Sequence, residues 1–352
     1  MALSSLDLIL LAQKYRGDVT PQINRRAVTL QMLGATEDGG KNCAWGFETS
    51  GQLARAIVEG ADTTTFGADA QFPATLEWGI YEFPIGMTNL AMAGSRSSGG
   101  DPNANNDYWA KHIQNGLAAL ASSLNVDLYR GDGVGSAGER TLCGFGEIYG
   151  SLTNTYAGRD RTQAANALLL PNVFAPGTPT PFTLKMFRDD LGTIYEACGE
   201  RPDLAFCKTA VFNMIGSRFD NVREYEQSTL TTGRGTITLD GSARIIWVDG
   251  CKVIEDKDAT YAADTATSGS LTYVNSFYTE LKVLPPANEL NDIVKSRPKF
   301  RLNDGRDAIM LNVAYEALAK TGATEKGRGE IMLQLQCRRP NSGGVRTDIA
   351  IG

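Results

Sequence analysis

One stripe of apolar side chains limits the fold of this chain more than any other feature. Trp109, Ile113, Leu117, Leu120, Leu124 and Leu128 recur at steps of four, four, three, four and four, the spacing that keeps one face of an α-helix against a core. Asn106 or Asp107 can cap the first turn and Gly131 ends the run, so the helix is expected to span about 22 residues, or roughly 33 Å. That is long for a globular helix, and the rest of the chain is organised around it.

The turn that follows is crowded with glycine, and Gly133, Gly135 and Gly138 match the G-x-G-x-x-G dinucleotide pattern. That fingerprint acts only where the glycines follow a strand and open a helix whose N-terminus holds pyrophosphate. Here they follow a helix, and Glu139 to Gly150 carry no helical stripe. A helix stop and a flexible loop are the expectation.

Upstream, from about 46 to 95, no helical stripe is sustained beyond Leu53 to Val58, and residues 60–67 read as a turn. After Pro73, Leu76, Trp78 and Ile80 point one way while Glu77 and Tyr81 flank them, a strand alternation rich in aromatics. Two strands alone are marginal in water. A long hairpin with exposed aromatics therefore implies a partner surface on another subunit. Residues 96–106 form a polar linker into the long helix.

Beyond Arg161, prolines at 171, 176, 179 and 181 mark a domain boundary. A helical stripe from Leu184 to Cys198 stops at Gly199; a strand is expected at 202–207 and a helix from Thr209 to Phe219. Strands follow at 236–239, 243–248 and 277–283, the first two separated by an Asp240-Gly241 turn and the next turn falling at Asp249-Gly250. In the third, Phe277, Thr279, Leu281 and Val283 form a core face opposite polar Tyr278, Glu280 and Lys282; Ile331, Leu333, Leu335 and Cys337 oppose Met332, Gln334 and Gln336 in the same way.

The long helix ending in Leu128-Tyr129-Arg130-Gly131-Asp132-Gly133, a glycine near Gly144, then Tyr156-Ala157-Gly158-Arg159-Asp160-Arg161, resembles the middle of a tailed-bacteriophage major capsid protein of the Hong Kong 97-like fold. Arg338-Arg339-Pro340-Asn341 is similar to the chain ends of that family, and the resemblance runs from about residue 45 to the end. It implies an α+β subunit with an N-terminal arm at 1–45 and an extended β-hairpin loop at 46–95. A peripheral domain, carrying the long helix as its spine, takes 96–180 and about 295–352, and an axial domain takes 181–294. It further implies hexamers and pentamers closing into an icosahedral head around double-stranded DNA, held without sequence-specific contact. Scaffolding, portal and decoration proteins are possible partners, with scaffolding supplied separately because the arm is short. The location implied is the virion, assembled in the host cytoplasm, with no cofactor. Family members that weld their shells use a lysine on the extended loop; here none lies between Lys41 and Lys111, so no isopeptide cross-link from this loop is expected.

Composition agrees with a packed protein: 352 residues and 42% hydrophobic content support a sizeable core. A net charge of −6 and a pI near 5.1 argue against a protein that grips nucleic acid through a basic face, and suit a wall that does not adhere to packaged DNA. The apolar start, Leu3 to Leu11, lacks a preceding basic residue, is interrupted by Asp7 and has no cleavage site, so it reads as an amphipathic arm and not as a signal peptide. No run reaches the ~18 to 20 apolar residues of a membrane span. Six scattered cysteines include no C-x-x-C, which leaves reduced, semi-buried thiols and no zinc site.

Catalytic machinery is not expected. His112 is the single histidine, and G-x-S-x-G does not occur. Glu255-Asp256-Lys257-Asp258 lacks the glycine and spacing of a calcium loop and reads as solvated, while consecutive Asp189 and Asp190 diverge by about 100° on a helix and form no dyad. The notable charge group is Arg159, Asp160 and Arg161 in a rigid turn, where alternating charge can set register between subunits. With Trp78, Tyr81 and Glu82 these residues are the candidate subunit interface. Arg161→Glu is then expected to block assembly while leaving the circular dichroism and melting of the monomer unchanged. The rival readings are an encapsulin-type compartment shell with the same fold, and an enzyme using the loop from Gly131 to Gly138 for a nucleotide.

Overall fold

The computed structural model describes residues 27–33, 35–50, 59, 70–88, 104–134, 138–218, 224–232, 235–261, 264–284, 299–302, 307–309, 314–321 and 324–351. The first part of the expected arm, the apolar run at 53–58, the turn at 60–67 and the linker at 96–103 lie outside them.

In chain order the elements are α1 (Val28–Leu33), β1 (Ala35–Glu37), β2 (Cys43–Ser50), β3 (Ala70–Leu76), β4 (Gly79–Thr88), α2 (Ala104–Arg130), α3 (Phe145–Tyr149), β5 (Thr155–Tyr156), β6 (Arg159–Asp160) and β7 (Asn172–Phe174). They continue with α4 (Leu184–Cys198), β8 (Leu204–Cys207), α5 (Thr209–Arg218), β9 (Glu224–Thr232), β10 (Gly235–Val248), β11 (Cys251–Glu255) and β12 (Ser268–Val274). The last are β13 (Thr279–Val283), β14 (Lys299–Leu302), β15 (Asp307–Ile309), β16 (Ala314–Thr321), β17 (Thr324–Cys337) and β18 (Gly344–Ala350).

The stripe helix α2 forms as expected but runs for 27 residues, taking in 104–106 from the expected linker. Leu120, Leu124 and Leu128 are buried; the side chains of Trp109, Ile113 and Leu117 lie outside the described set. Each buried leucine contributes about 1.5–3 kcal/mol, against tenths for intrinsic propensity, so packing holds the helix. The ring of Phe83 on β4 fixes its distance from the sheet: a Cβ added at Gly116 of α2 or at Gly329 of β17 would stand 2.2 Å from that ring.

That sheet has five strands in the order β1-β13-β17-β16, with β4 also on β17. β4 pairs antiparallel with β17 from Gly79↔Leu333 to Thr88↔Thr324, so residues 79–88 belong to the body of the subunit and not to a hairpin with β3. The hairpin is instead β2 with β3, from Cys43↔Leu76 to Ser50↔Ala70. The expected alternation through Leu76, Trp78 and Ile80 breaks at residues 77–78, which lie in neither strand.

Residues 27–37, assigned from sequence to the arm, are built into the subunit. β1 pairs parallel with β13, and Ala27, Leu30, Met32, Leu33 and Ala35 join the main core with the leucines of α2. The face of β13 and β17 opposite that core carries the polar residues expected, but it is covered. Glu280, Gln334 and Gln336 on it are buried, because residues 77–78 and 143 close over it: Gln334 donates to the Glu77 carbonyl at 2.6 Å and accepts from the Cys143 amide at 2.7 Å. Phe277, expected on the core face, is instead exposed, and β13 starts two residues after it.

The second sheet has nine strands in the order β15-β14-β10-β11-β8-β12-β18-β7, with β9 also on β10. The expected strands at 236–239 and 243–248 are one strand, β10, with a register shift between Thr238 and Ala243 where a turn was read at Asp240-Gly241. The Asp249-Gly250 turn is present, with φ of 48° and 84°, the positive pair that a two-residue hairpin favours. The span 295–352, expected to belong to one domain, divides: β17 lies in the five-stranded sheet and β18 in the nine-stranded one.

A second core forms on the α4/α5 face of this sheet from Phe187, Leu191, Ile194, Val211, Phe212, Ile246 and Val253, among others. Thr183 caps α4 by accepting from the Met186 amide, and Gly199 closes it in the left-handed conformation. Asp189 and Asp190 diverge as expected. Asp189 pairs with Lys185 on the surface, while buried Asp190 takes the Arg346 guanidinium and the Tyr273 hydroxyl.

Candidate assembly site

The β2–β3 hairpin is anchored to the main core by aromatic rings. Trp45 and Phe47 alternate on β2 with Cys43 and pack on Tyr156, with ring centroids 6.2 and 6.3 Å away. Tyr156 is itself locked to β17, donating to the Cys337 carbonyl at 3.2 Å and accepting from the Cys337 amide at 2.9 Å. On the other strand, the guanidinium of Arg159 lies 4.7 Å from the centre of the Phe72 ring and donates to the Pro73 carbonyl at 3.2 and 3.3 Å. The Thr75 amide donates to the Ala157 carbonyl. The short β5–β6 hairpin thus clasps β3 along its outer edge.

Arg161 does not share that surface. It is 1% exposed, lies 4.9 Å from the Tyr156 ring centre, and donates to the carbonyls of Glu147, Ile148 and Ser151 and to Asn154 Oδ1 at 2.9–3.0 Å. Burial pushes its pKa down. It closes the C-terminal end of α3, a five-residue helix that cannot satisfy its own last carbonyls. The expectation of an exposed arginine setting register between subunits is therefore corrected: a planar donor fork matched the backbone acceptors, and burial followed. Asp160 accepts from the Thr162 amide and hydroxyl, which hold its carboxyl below the usual range.

Trp78 and Tyr81 also turn inward. Trp78 is buried and its Nε1 donates to the Gly40 carbonyl at 3.1 Å. Tyr81 donates to Asp127 Oδ2 at 2.8 Å and accepts from the Leu142 amide at 3.0 Å, joining β4 to the end of α2. Burial raises the pKa of both Tyr81 and Asp127. The predicted exposed aromatic face is thus corrected to a set of internal braces, with Ile80 exposed beside them. Glu82 is exposed and lies 3.7 Å from Arg328.

Gly131, at the head of the glycine-rich loop, and Gly144 serve packing, whereas Gly133 and Gly138 have open space around them. The Gly144 amide donates to the Gly131 carbonyl at 2.8 Å, and a Cβ at Gly144 would stand 2.4 Å from the Asp127 carbonyl oxygen. The glycines follow a helix, as read from sequence, and the next helix, α3, is short. Glycines at 131 and 144 let two segments of backbone touch.

The acidic run at 255–258, expected to be solvated, contains a buried hub. Asp256 accepts from the Thr29 amide and hydroxyl at 3.1 and 2.6 Å, from Asn125 Nδ2 at 2.9 and 3.0 Å and from the Asp258 amide at 3.0 Å. Tyr129 must then donate to Thr29 Oγ1, whose single proton is spent on Asp256. This network ties α1 and α2 to the loop after β11. All six cysteines are free and buried, more deeply than expected. His112 is half-buried, which pushes its pKa down. Among the described residues no cluster of three or more His, Cys, Asp or Glu side chains could hold a metal ion.

Sequence reading missed Phe72, Trp45 and Phe47 at the hairpin root; the alternation Cys43, Trp45, Phe47 was the available signal. The Thr29, Asn125 and Asp256 hub left none, since its members lie up to 227 residues apart.

A long helix laid on a mixed sheet, a hairpin clasped by the β5–β6 turn and a second helix-backed sheet make up a fold shared with solved capsid structures. The capsid asymmetric unit of cyanophage A-1(L) is similar over 97% of both chains, with a TM-score of 0.68 at 16% identity. The capsid of the native GTA particle matches 97% of this chain and 99% of its own, with a TM-score of 0.56 at 10% identity. The holo-SrpI encapsulin complex from Synechococcus elongatus PCC 7942 matches 100% and 97%, with a TM-score of 0.53 at 10% identity. No protein-family model and no curated relative matches the sequence.

Proposed function

We infer that the chain is a major capsid subunit that self-assembles into the icosahedral head enclosing double-stranded DNA. The observation that carries this is the likeness to the cyanophage capsid over 97% of both chains. The work of such a subunit is assembly and not turnover, with modest contacts multiplied by symmetry. The β2–β3 hairpin acts as the extended loop, α2 stiffens the peripheral domain as its spine, and the nine-stranded sheet with α4 and α5 forms the axial domain at capsomer centres. Glu82, Arg159 and Asp160 meet neighbouring subunits from the surface, while Trp78, Tyr81 and Arg161 hold those residues in place from inside. Hexamers and pentamers form with separate scaffolding, portal and decoration proteins in the host cytoplasm, and the product is the virion shell.

The likeness to an encapsulin supports a second reading, a compartment shell that encloses protein cargo. Electron microscopy of the purified protein, with nucleic acid measured in the particles, separates the readings. DNA-filled or scaffold-dependent shells support the capsid, protein-filled shells support the compartment, and a monomer that never assembles alone or with scaffolding candidates refutes both.

A further inference from the structure

The outer edge of β18 is closed along its whole length by one segment, residues 172–180. β7, with three residues, opens that segment and pairs parallel with β18 from Asn172↔Gly344 to Phe174↔Arg346. It is the last strand in the order of the nine-stranded sheet, and among the described residues no further strand lies beyond it. Six residues later the chain meets β18 again. The Thr180 amide donates to the Asp348 carbonyl at 2.8 Å, and the Thr180 carbonyl accepts from the Ala350 amide at 2.9 Å. The segment is thus a strap attached to both ends of β18.

Between the two attachments residues 175–179 are exposed and lie in no strand. The backbone is bent there on both sides. Asp348 has a φ of 58° where the register of β18 against β12 shifts, between Arg346 and Ile349, and Gly177 opposite it has a φ of 74°. Asp348 Oδ2 accepts from the Gly177 amide at 3.2 Å. Pro176, Pro179 and Pro181 carry no N–H, and the amides of Gly177 and Thr180 are spent on Asp348. An added antiparallel strand takes its bonds from every second residue. Over 176–181 it would find one donor in one register, Thr178, and none in the other.

We propose that this strap is an edge guard: it occupies the outer edge of β18 and offers in its place a surface on which a second copy of this chain cannot lay a strand. A very short edge strand, prolines along the edge and a bulge are three separate means by which sheets avoid pairing edge to edge. All three coincide here. The guard acts on the folded, unassembled subunit, so it goes beyond the shell reading and does not depend on it.

The test uses the full chain as purified soluble subunit. Pro176→Thr/Pro179→Thr returns an amide at each position and lifts the restriction on φ. At equal concentration this variant is expected to lose several-fold more chain than the wild type to a low-speed pellet, as thioflavin-binding material distinct in negative stain from closed shells. Adding Ala175→Lys and Thr178→Lys puts charge on the same edge and is expected to return the pellet to the wild-type level. Adding Thr193→Lys and Ala197→Lys instead puts the same charge on exposed residues of α4 and is expected not to. A double proline variant as soluble as the wild type overturns the guard. So does a pellet that the lysines at 175 and 178 leave unchanged, or that the lysines on α4 remove equally well. Shell formation is read from the wild type alone, so failure of the guard leaves the shell reading standing.

Discussion

The guanidinium of Arg161 stacks on Tyr156 inside the subunit, 4.9 Å from its ring centre, while Arg159 two residues earlier reaches outward over Phe72. One turn therefore sends one arginine to the core and one to the hairpin. The two positions differ in what they hold, and substitutions at them should differ in kind.

Arg161→Ala removes the donors from three backbone carbonyls and one amide oxygen. Buried acceptors left unpaired cost about 1–3 kcal/mol each before relaxation, so a loss of about 3–5 kcal/mol is expected in urea unfolding of the soluble subunit. Arg161→Glu should fare worse, because it buries a carboxylate among carbonyl oxygens, and its melting should fall with its assembly. An unchanged midpoint in either variant would contradict the buried role.

Arg159→Ala should change global stability by only about 0.5–1 kcal/mol, the scale of a partly exposed cation–π contact. Its effect is local. Amide hydrogen exchange across 72–76 should accelerate while β17 stays protected, and no acceleration would show that the clasp is held by the Thr75 to Ala157 hydrogen bond alone.

Asp256→Ala leaves the Thr29 amide and hydroxyl, the Asn125 amide and the Asp258 amide without their shared acceptor. We expect a loss of about 3–5 kcal/mol in the same unfolding experiment, with Asp256→Asn nearer 1–2 kcal/mol because one acceptor oxygen survives. Equal behaviour of the two variants would mean that the network is not organised by acceptor capacity.

Burial, aided by Asp38, pushes the Cys43 thiol up from 9.0 to about 12, and burial with Glu147 does the same at Cys143. The folded chain then holds these protons more tightly than the unfolded one. The contribution of the two thiols should be constant below pH 9 and be lost as pH rises from about 9 toward 12, by up to about 1.4 kcal/mol per pH unit for each thiol. At pH 8 a thiol reagent should find almost no reactive cysteine in the native subunit and all six after denaturation. Rapid native labelling at Cys43 or Cys143 would contradict the burial.

Local periodicity made α2 and α4 legible: an apolar stripe, a Thr183 cap and a Gly199 stop are written within a few residues of one another. Strand partnership was not written locally. β4 and β3 are separated by two residues yet lie in different sheets, because β17, 236 to 254 positions later, supplies the partner of β4. The candidate interface failed for a related reason. Charge and aromatic character made Trp78, Tyr81 and Arg161 conspicuous, but whether such a side chain faces out depends on backbone groups delivered from elsewhere: the carbonyls of Gly40 and of the end of α3, and the amide of Leu142. Gln334 and Gln336 show the same limit, since alternation reports two faces of a strand and does not say how many are covered.

The position of β18 sets an order of events in time. It lies between β12 and β7, and β7 reaches the sheet only through it: Asn172 bonds to the carbonyls of Asn341 and Gly343, 169 and 171 residues away. Closure of so large a loop precedes any reward from the contacts it brings. Until β18 arrives, the edge of β12 is an open template on which a strand of another nascent chain can be laid. The yield of soluble subunit should accordingly be governed by how long that gap stays open, so slower synthesis and lower temperature should raise it even though the finished protein is unaltered.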